Sequence, residues 1–363
     1  MDSLSPHLTF RARIARWYRF HKVTTLLVAA TVLISGAGAT TFFLLNQQHP
    51  TAPAAAPSAP RPQPPKPVVY YSELTGMPVP SQAAATQAVT AIMIENSPDA
   101  RPQSGLKQAG MVYEAIAEGG ITRFLTLHQE DKPQLIGPVR SIRPYYIDWL
   151  TPYQASVAHV GGSPDALARV RNGSYRDIDQ FFNSNYYWRA TDRYAPHNVY
   201  TSFTKLDALN QSKGYTSSIF KGFSRTDAAP AATPTATSIA INFSGPWYNT
   251  TYTYDKASNS YLRSEGGAPH MDREDGQLAP HVVIAMKVDE NLDADGYHED
   301  ITAIGSGEAV IFQNGTATTV TWHKPDAATG ITFTDASGKD VPLVRGQTWI
   351  AAIPNGKGSV SWQ

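Results

Sequence analysis

Glu114 and Glu118 are two carboxylates spaced to share one side of a regular element. On a strand, alternation puts Glu114, Ile116 and Glu118 on one face; on a helix, the four-residue spacing does the same. Gly119-Gly120 separates the apolar runs 112–118 and 121–128, which predicts a β-hairpin. With that loop, Glu118 faces Ile121, Ile116 faces Arg123, and Arg123 stands diagonal to both glutamates. Paired carboxylates beside an arginine can do acid–base work, because close like charges drive their pKa values apart. The same pattern also makes an ordinary ion-pair face. His159 and His197 are the candidate proton carriers to accompany them, though a lone histidine is more often structural.

Residues 137–144 read GPVRSIRP. Pro144 suits a helix start, which sets Arg140 and Arg143 beside free backbone N–H groups, a natural anion site. Gly161-Gly162-Ser163-Pro164 offers a second strand-to-helix turn, with His159 before it and Ser163 as its cap. Neither turn matches a dinucleotide fingerprint or a P-loop, so no nucleotide is expected. Pro196-His197-Asn198 closes a stretch, 145–200, that holds twelve aromatics. Aromatics beside polar groups suit sugar stacking or peptide binding, and equally suit a core. Further along, His270-Met271-Asp272 and His281 match no familiar zinc spacing. Residues 291–296 mimic the start of a calcium loop, but Thr302 stands where its last ligand should be. No G-x-S-x-G, H-E-x-x-H or cysteine is present, so common serine, zinc and thiol hydrolases gain no support, and no metal or cofactor is expected.

The elements that must position these groups follow from charge and composition. The 363 residues carry 30 basic and 30 acidic side chains, a net charge of zero that argues against a nucleic-acid surface. Residues 1–22 hold five basic residues against one acid. Residues 23–45 hold no charge, which is long enough for a membrane-spanning helix with its basic flank cytoplasmic. Cleavage after Ala39 is the competing reading. Between Pro50 and Pro67, eight of eighteen residues are proline, so 46–69 reads as an extended linker. A second Ala/Pro/Thr-rich break at 226–238 divides the remainder into 70–225 and 239–363. The first part reads as mixed α and β, with Ser163 and Ser202 capping helices. The second reads as mainly β, with Asn314-Gly315 as a tight turn. The expected fold class is α+β.

Several segments resemble the YerB-like family of bacterial envelope proteins. They are LTGMPV (74–79), ARPQSGLKQAG (100–110), YEAIAEGGITRF (113–124), IGPVRSIRPYYID (136–148), HVGGSP (159–164) and APHNVYTS (195–202). In the second part GGAPHMD (266–272), IGSGEAVIFQNG (304–315), TWHKP (321–325) and VPLVRGQTWI (341–350) resemble the family's C-terminal domain. The resemblance implies an extracytoplasmic, membrane-attached protein of two linked domains without a settled reaction. The residues it carries over include Asn96, Arg101, Gln103, Ser104, Arg123, Arg140, Arg143, Ser163, Asn198, His270 and Asp272, besides the glutamates and histidines above. The resemblance also implies a lipobox cysteine in many relatives, which this chain lacks, and aspartate and asparagine as the family's usual residues where Glu95 and His281 stand here.

Two functions are compatible with these residues. In one, Asn96, Arg101, Arg123, Arg140, Arg143, Ser163, Asn198, His270 and Asp272 help bind an anionic or sugar-containing cell-envelope ligand. In the other, Glu114 or Glu118 with His159 or His197 acts as acid and base on a glycan or peptidoglycan-type substrate. Under either reading a shared site requires Glu114, Glu118, Arg123, Arg140, Arg143, His159 and His197 to converge in one cleft.

Overall fold

The computed structural model describes residues 68–363 throughout and, before them, Arg11, Ile14, Ala15, Trp17 and 21–45. Most of the basic segment 1–22 and nearly all of the expected linker 46–69 lie outside the described residues. The chain divides into two compact units, Met1–Pro67 and Val68–Gln363.

In the first unit, α1 (Lys22–Leu45) is helical. Among the described residues no helix is long and apolar enough to cross a membrane, so the span expected over 23–45 gains no support. Its sequence interrupts the large apolar side chains with seven small or hydroxylated residues, 35–41.

In the second unit, both sequence parts feed one sheet. Residues 70–225 supply β1 (Thr90–Glu95), β2 (Met111–Glu118), β3 (Ile121–His128), β4 (Ser156–Ala158) and β5 (Arg176–Asp177). Residues 238–363 supply β6 (Ser238–Asn242), β7 (Thr250–Asp255), β8 (Ser260–Glu265), β9 (Ala268–Pro269), β10 (Val282–Val288), β11 (Gly305–Gln313), β12 (Thr316–Lys324), β13 (Thr332–Thr334), β14 (Thr348–Pro354) and β15 (Ser359–Trp362). The order in the ten-stranded sheet is β13-β12-β11-β10-β14-β2-β3-β1-β4-β5, and in the five-stranded sheet β9-β8-β7-β6-β15. The seam between the two parts is the parallel pairing of β14 with β2, which sets Trp349 opposite Val112 and Ala351 opposite Glu114.

Strands β1 and β14 are buried at every position, as their apolar runs 91–94 and 349–354 require in a sheet covered on both faces. The β2–β3 hairpin forms at Gly119 (φ +58°) and Gly120 (φ +79°), two positive φ values that glycine adopts freely. Helix α2 (Pro144–Leu150) begins at its proline. Helix α3 (Pro164–Val170) is capped by Ser163, which accepts a hydrogen bond from the Ala166 amide, and carries Asp165 in its first turn. Helix α4 (Phe203–Ser212) is capped by Ser202.

Helices α2 and α3 cover one face of the large sheet through Tyr145, Trp149, Ala166 and Val170, packed with Met93, Leu125 and Ile284. On the other face, α4 packs Phe203, Leu206 and Leu209 against Ile92, Ile94 and Trp349. The five-stranded sheet covers the rest of that face through Ile239, Ile241 and Tyr252 against Val283, Phe312 and Ile353. Between these last two cores lies a buried polar network.

Candidate functional site

Strand β8 builds the floor of the network. Its alternation turns Tyr261, Arg263 and Glu265 inward, so two charged residues enter a buried face. Arg263, fully buried, sits between two carboxylates, 3.1 Å from Glu114 Oε1 and 3.4 Å from Glu265 Oε1. It also donates to the Tyr252 hydroxyl at 3.0 Å and to His270 Nδ1 at 2.9 Å. Its guanidinium carbon lies 4.5 Å from the centre of the Trp349 ring, so an aromatic face covers the ion cluster. Glu114 accepts two further bonds, from the Thr122 hydroxyl at 3.1 Å and Trp349 Nε1 at 2.9 Å.

Since Arg263 can only donate, His270 Nδ1 is an acceptor, and His270 carries its proton on Nε2, which donates to Gln103 Oε1 at 2.9 Å. Burial, with Arg263 and Arg101 nearby, pushes the His270 pKa well down, so the ring is neutral. Gln103 in turn donates to the Glu95 carbonyl and Asn96 Oδ1. Asn96 donates to Glu265 Oε1 at 2.7 Å and to Thr122 Oγ1 at 2.6 Å. Arg101 donates to Asn96 Oδ1, to the Asn96 carbonyl and to the Trp247 carbonyl.

Glu265 is the member with an unpaired oxygen. Its Oε2 has no hydrogen-bond partner and stands 3.2 Å from His270 Nδ1, whose lone pair is already taken by Arg263. Burial pushes its pKa up to about 7 against the pull of Arg263 and Arg101. The shift favours the protonated acid, and a proton on Oε2 relieves the contact between two acceptors. Glu265 and His270 line a cleft of ≈ 330 Å³ whose walls include Arg101, Pro98, Trp247 and Met271. Trp247 is 65% exposed, and Arg101 lies 5.4 Å from the Tyr248 ring centre.

Next to Asn96, Glu95 organises a second group. Its Oε1 accepts from His197 Nδ1 at 2.9 Å and Ser97 Oγ at 3.1 Å, with Arg140 Nε at 3.2 Å. Ser97 and Glu95 both meet His197 at Nδ1, so this is not a serine triad, in which serine faces the opposite nitrogen. It leaves His197 Nε2 outward, 4.0 Å from the exposed Asp99 carboxylate.

The expected Glu114/Glu118 pair does not form. The pairing of β2 with β3 slips between Ile116 and Glu118, so Ala115, not Ile116, faces Arg123. That bulge shifts the alternation by one and sends the two glutamates to different surroundings. Glu118 binds Arg123 at 2.6 Å and Arg143 at 2.5 Å, beside α2. Burial alone would raise the Glu118 pKa, but the two guanidinium groups outweigh it and hold the carboxylate ionised, ill suited to carry a proton. A group lowered in this way gives stability that is present above the ordinary carboxylate range and lost as pH falls through the folded value. Glu118→Gln is expected to cost roughly 3 kcal/mol at pH 7 and to flatten the acid limb of urea midpoints measured against pH.

The other expected residues divide as follows. Arg140 and Arg143 do not share an anion site, because one goes to Glu95 and the other to Glu118. Ser163 is a helix cap. Asn198 pins its loop to Arg189 and to the Ala190 and Arg193 carbonyls. Asp272 accepts backbone amides of Lys107, Glu274 and Asp275. His159 bonds Gly161 and Asp177 away from the network. His281 is partly exposed beside Gly346. The structure thus joins Asn96, Arg101, Gln103, Glu114 and His270 in one network, with His197 reaching it through Glu95. Sequence reasoning missed Arg263, Glu265, Trp247 and Trp349. The alternation Tyr261-x-Arg263-x-Glu265, ahead of the GGAPHMD motif, was the available signal.

Comparison with known proteins agrees with this architecture. Residues 74–216 match the family described as "Protein of unknown function (DUF3048) N-terminal domain", and residues 239–350 match the corresponding C-terminal domain. The chain is 32% identical over 290 residues to "Putative lipoprotein YerB" of Bacillus subtilis, covering 78% of this chain and 86% of that one. The crystal structure of the Bacillus subtilis YerB protein superimposes with a TM-score of 0.72 at 30% identity, over 80% of this chain and 99% of that one. With both domain families matched in order, mixed α/β first and mainly β second, this chain belongs to the YerB-like, DUF3048 family.

Proposed function

We propose that this is a bacterial cell-envelope protein that binds a hydroxyl-rich glycan of the peptidoglycan type in the cleft above Glu265. The observation that carries the proposal is a cleft flanked by Arg101 and an exposed Trp247 and lined by Glu265, a buried carboxyl whose Oε2 lacks a hydrogen-bond partner. A carboxyl that shifts between donor and acceptor near pH 7 suits sugar hydroxyls, a flat indole suits the apolar face of a sugar ring, and Arg101 suits an acidic substituent. An envelope location is supported by the similarity to "Putative lipoprotein YerB" of Bacillus subtilis and by the basic-then-uncharged sequence of 1–45.

A second reading is an enzyme on the same ligand class. It is favoured by the raised Glu265 pKa and by His197, whose Nδ1 is fixed by Glu95 while Nε2 faces outward. One experiment separates the two: calorimetric titration of soluble muropeptides into the full chain, with product analysis by mass spectrometry. Binding weakened about tenfold or more by Trp247→Ala, with no turnover by wild type, supports the binding protein. Turnover abolished in Glu265→Gln with binding retained supports the enzyme. No saturable binding by wild type overturns both.

A further inference from the structure

A second cleft lies outside the Glu265 network. The short antiparallel pairing of Trp188–Arg189 with Val199–Tyr200 sets Trp188 directly opposite Tyr200. Both side chains therefore share one face of this ribbon. With Arg189, Asp192 and Arg273 they line a cleft of ≈ 380 Å³, large enough for a small ligand. We propose that this cleft is an oxyanion site, which takes a phosphate or carboxylate group against the Tyr200 hydroxyl, Arg189 and Arg273.

The Tyr200 hydroxyl carries the argument. Tyr200 is fully buried, yet its hydroxyl has no hydrogen-bond partner. A buried hydroxyl without a partner is an uncompensated cost. Burial raises its pKa and so keeps it a donor, while Arg193 and Arg273 pull the other way. That opposition sets two guanidinium groups about the hydroxyl. Guanidinium groups only donate, so neither can accept the hydroxyl proton. What the hydroxyl lacks is an acceptor, and an anion supplies one to hydroxyl and arginines together.

The arginines are anchored through only part of their five donors. Arg189 donates to Asn198 Oδ1 at 2.7 Å, and Arg193 donates to the Asp99 and Pro102 carbonyls. The Arg273 backbone amide donates to the Gln103 carbonyl at 2.8 Å, which fixes where its side chain starts. That side chain meets Asp192 at 2.7 Å and Glu274 at 3.6 Å. The Arg273 and Asp192 side chains are 36% and 51% exposed, and an ion pair so exposed exchanges at little cost. Asp192 is thus the chain's own acid at this cleft, and the competitor an incoming anion displaces. Met271, two residues before Arg273, lines the Glu265 cleft. The two clefts are therefore neighbours along one segment, within reach of one extended ligand that carries an acidic group.

The test is calorimetric titration of inorganic phosphate, and separately of acetate, into the full chain, with chloride holding the ionic strength constant. Wild type is expected to bind one anion per chain. Arg273→Gln should weaken binding about tenfold, and Tyr200→Phe, which removes only the unpaired hydroxyl, several-fold. Asp192→Asn should tighten it several-fold by removing the competing carboxylate. Circular dichroism confirms that the variants are folded. Preference for phosphate assigns the site to a phosphorylated ligand, and preference for acetate assigns it to a carboxylate-bearing one. Absence of saturable binding of either anion to wild type overturns the proposal, as does undiminished affinity in Arg273→Gln or Tyr200→Phe. The probes are simple anions, so their result stands whether or not a glycan enters the Glu265 cleft.

Discussion

Arg263→Met is expected to lower the stability of the folded unit by about 3–5 kcal/mol at pH 7, the largest loss for any single substitution considered. Methionine fills much of the space and retains contact with Trp349, so the loss comes mainly from charge rather than from a cavity. Glu114 and Glu265 would face each other without the cation that now lies 3.1 Å and 3.4 Å from their oxygens. His270 Nδ1 and the Tyr252 hydroxyl would lose a donor as well. The penalty should be smaller at pH 5 than at pH 8, because without Arg263 the folded chain must hold on Glu265 a proton that wild type releases as pH rises through 7. Urea unfolding at the three pH values checks both statements. A midpoint equal to that of wild type at pH 7 would mean the ion cluster is not held as described.

Glu265→Gln carries the second large effect, and its sign depends on pH. The folded pKa of about 7 stands above the value near 4.3 of an unfolded glutamate. Between those values the folded chain holds a proton that the unfolded chain has released. The stability contributed by this group is complete below about pH 4 and is lost as pH rises through 7. Glutamine imitates the protonated acid at every pH. The stability of wild type relative to Glu265→Gln should therefore fall by about 2–4 kcal/mol between pH 4 and pH 8. Taking the difference cancels most of the opposing contribution of His270, whose pKa is lowered by burial and whose protonation favours unfolding at acid pH. A difference that does not change with pH would place an ordinary, solvated carboxylate at Glu265.

What the sequence disclosed was local. Gly119-Gly120 and Asn314-Gly315 announced their hairpins because a turn with positive φ at both central positions selects those residues. Ser163-Pro164-Asp165 announced α3 through its cap, its fixed proline φ and its acidic first turn. The bulge between Ile116 and Glu118 has no such marker, so a strict alternation grouped two glutamates that the strand separates. Arg263 and Glu265 were passed over because charged residues rarely face a core. Only the pairing of strands distant in sequence supplies their partners. Trp349 reaches Glu114 through the pairing of β14 with β2, across 235 residues. His270 and Asn96 were picked out from motifs, but their common partner Glu265 was not.

The central claim is that the cleft above Glu265 is where ligand binds. A crystal structure of the chain soaked with a soluble muropeptide tests it most directly. The account predicts a sugar ring stacked on Trp247, a ligand hydroxyl within hydrogen-bond distance of Glu265 Oε2, and an acidic group turned to Arg101. Ligand density at another surface, with the Glu265 cleft left to solvent, would contradict it.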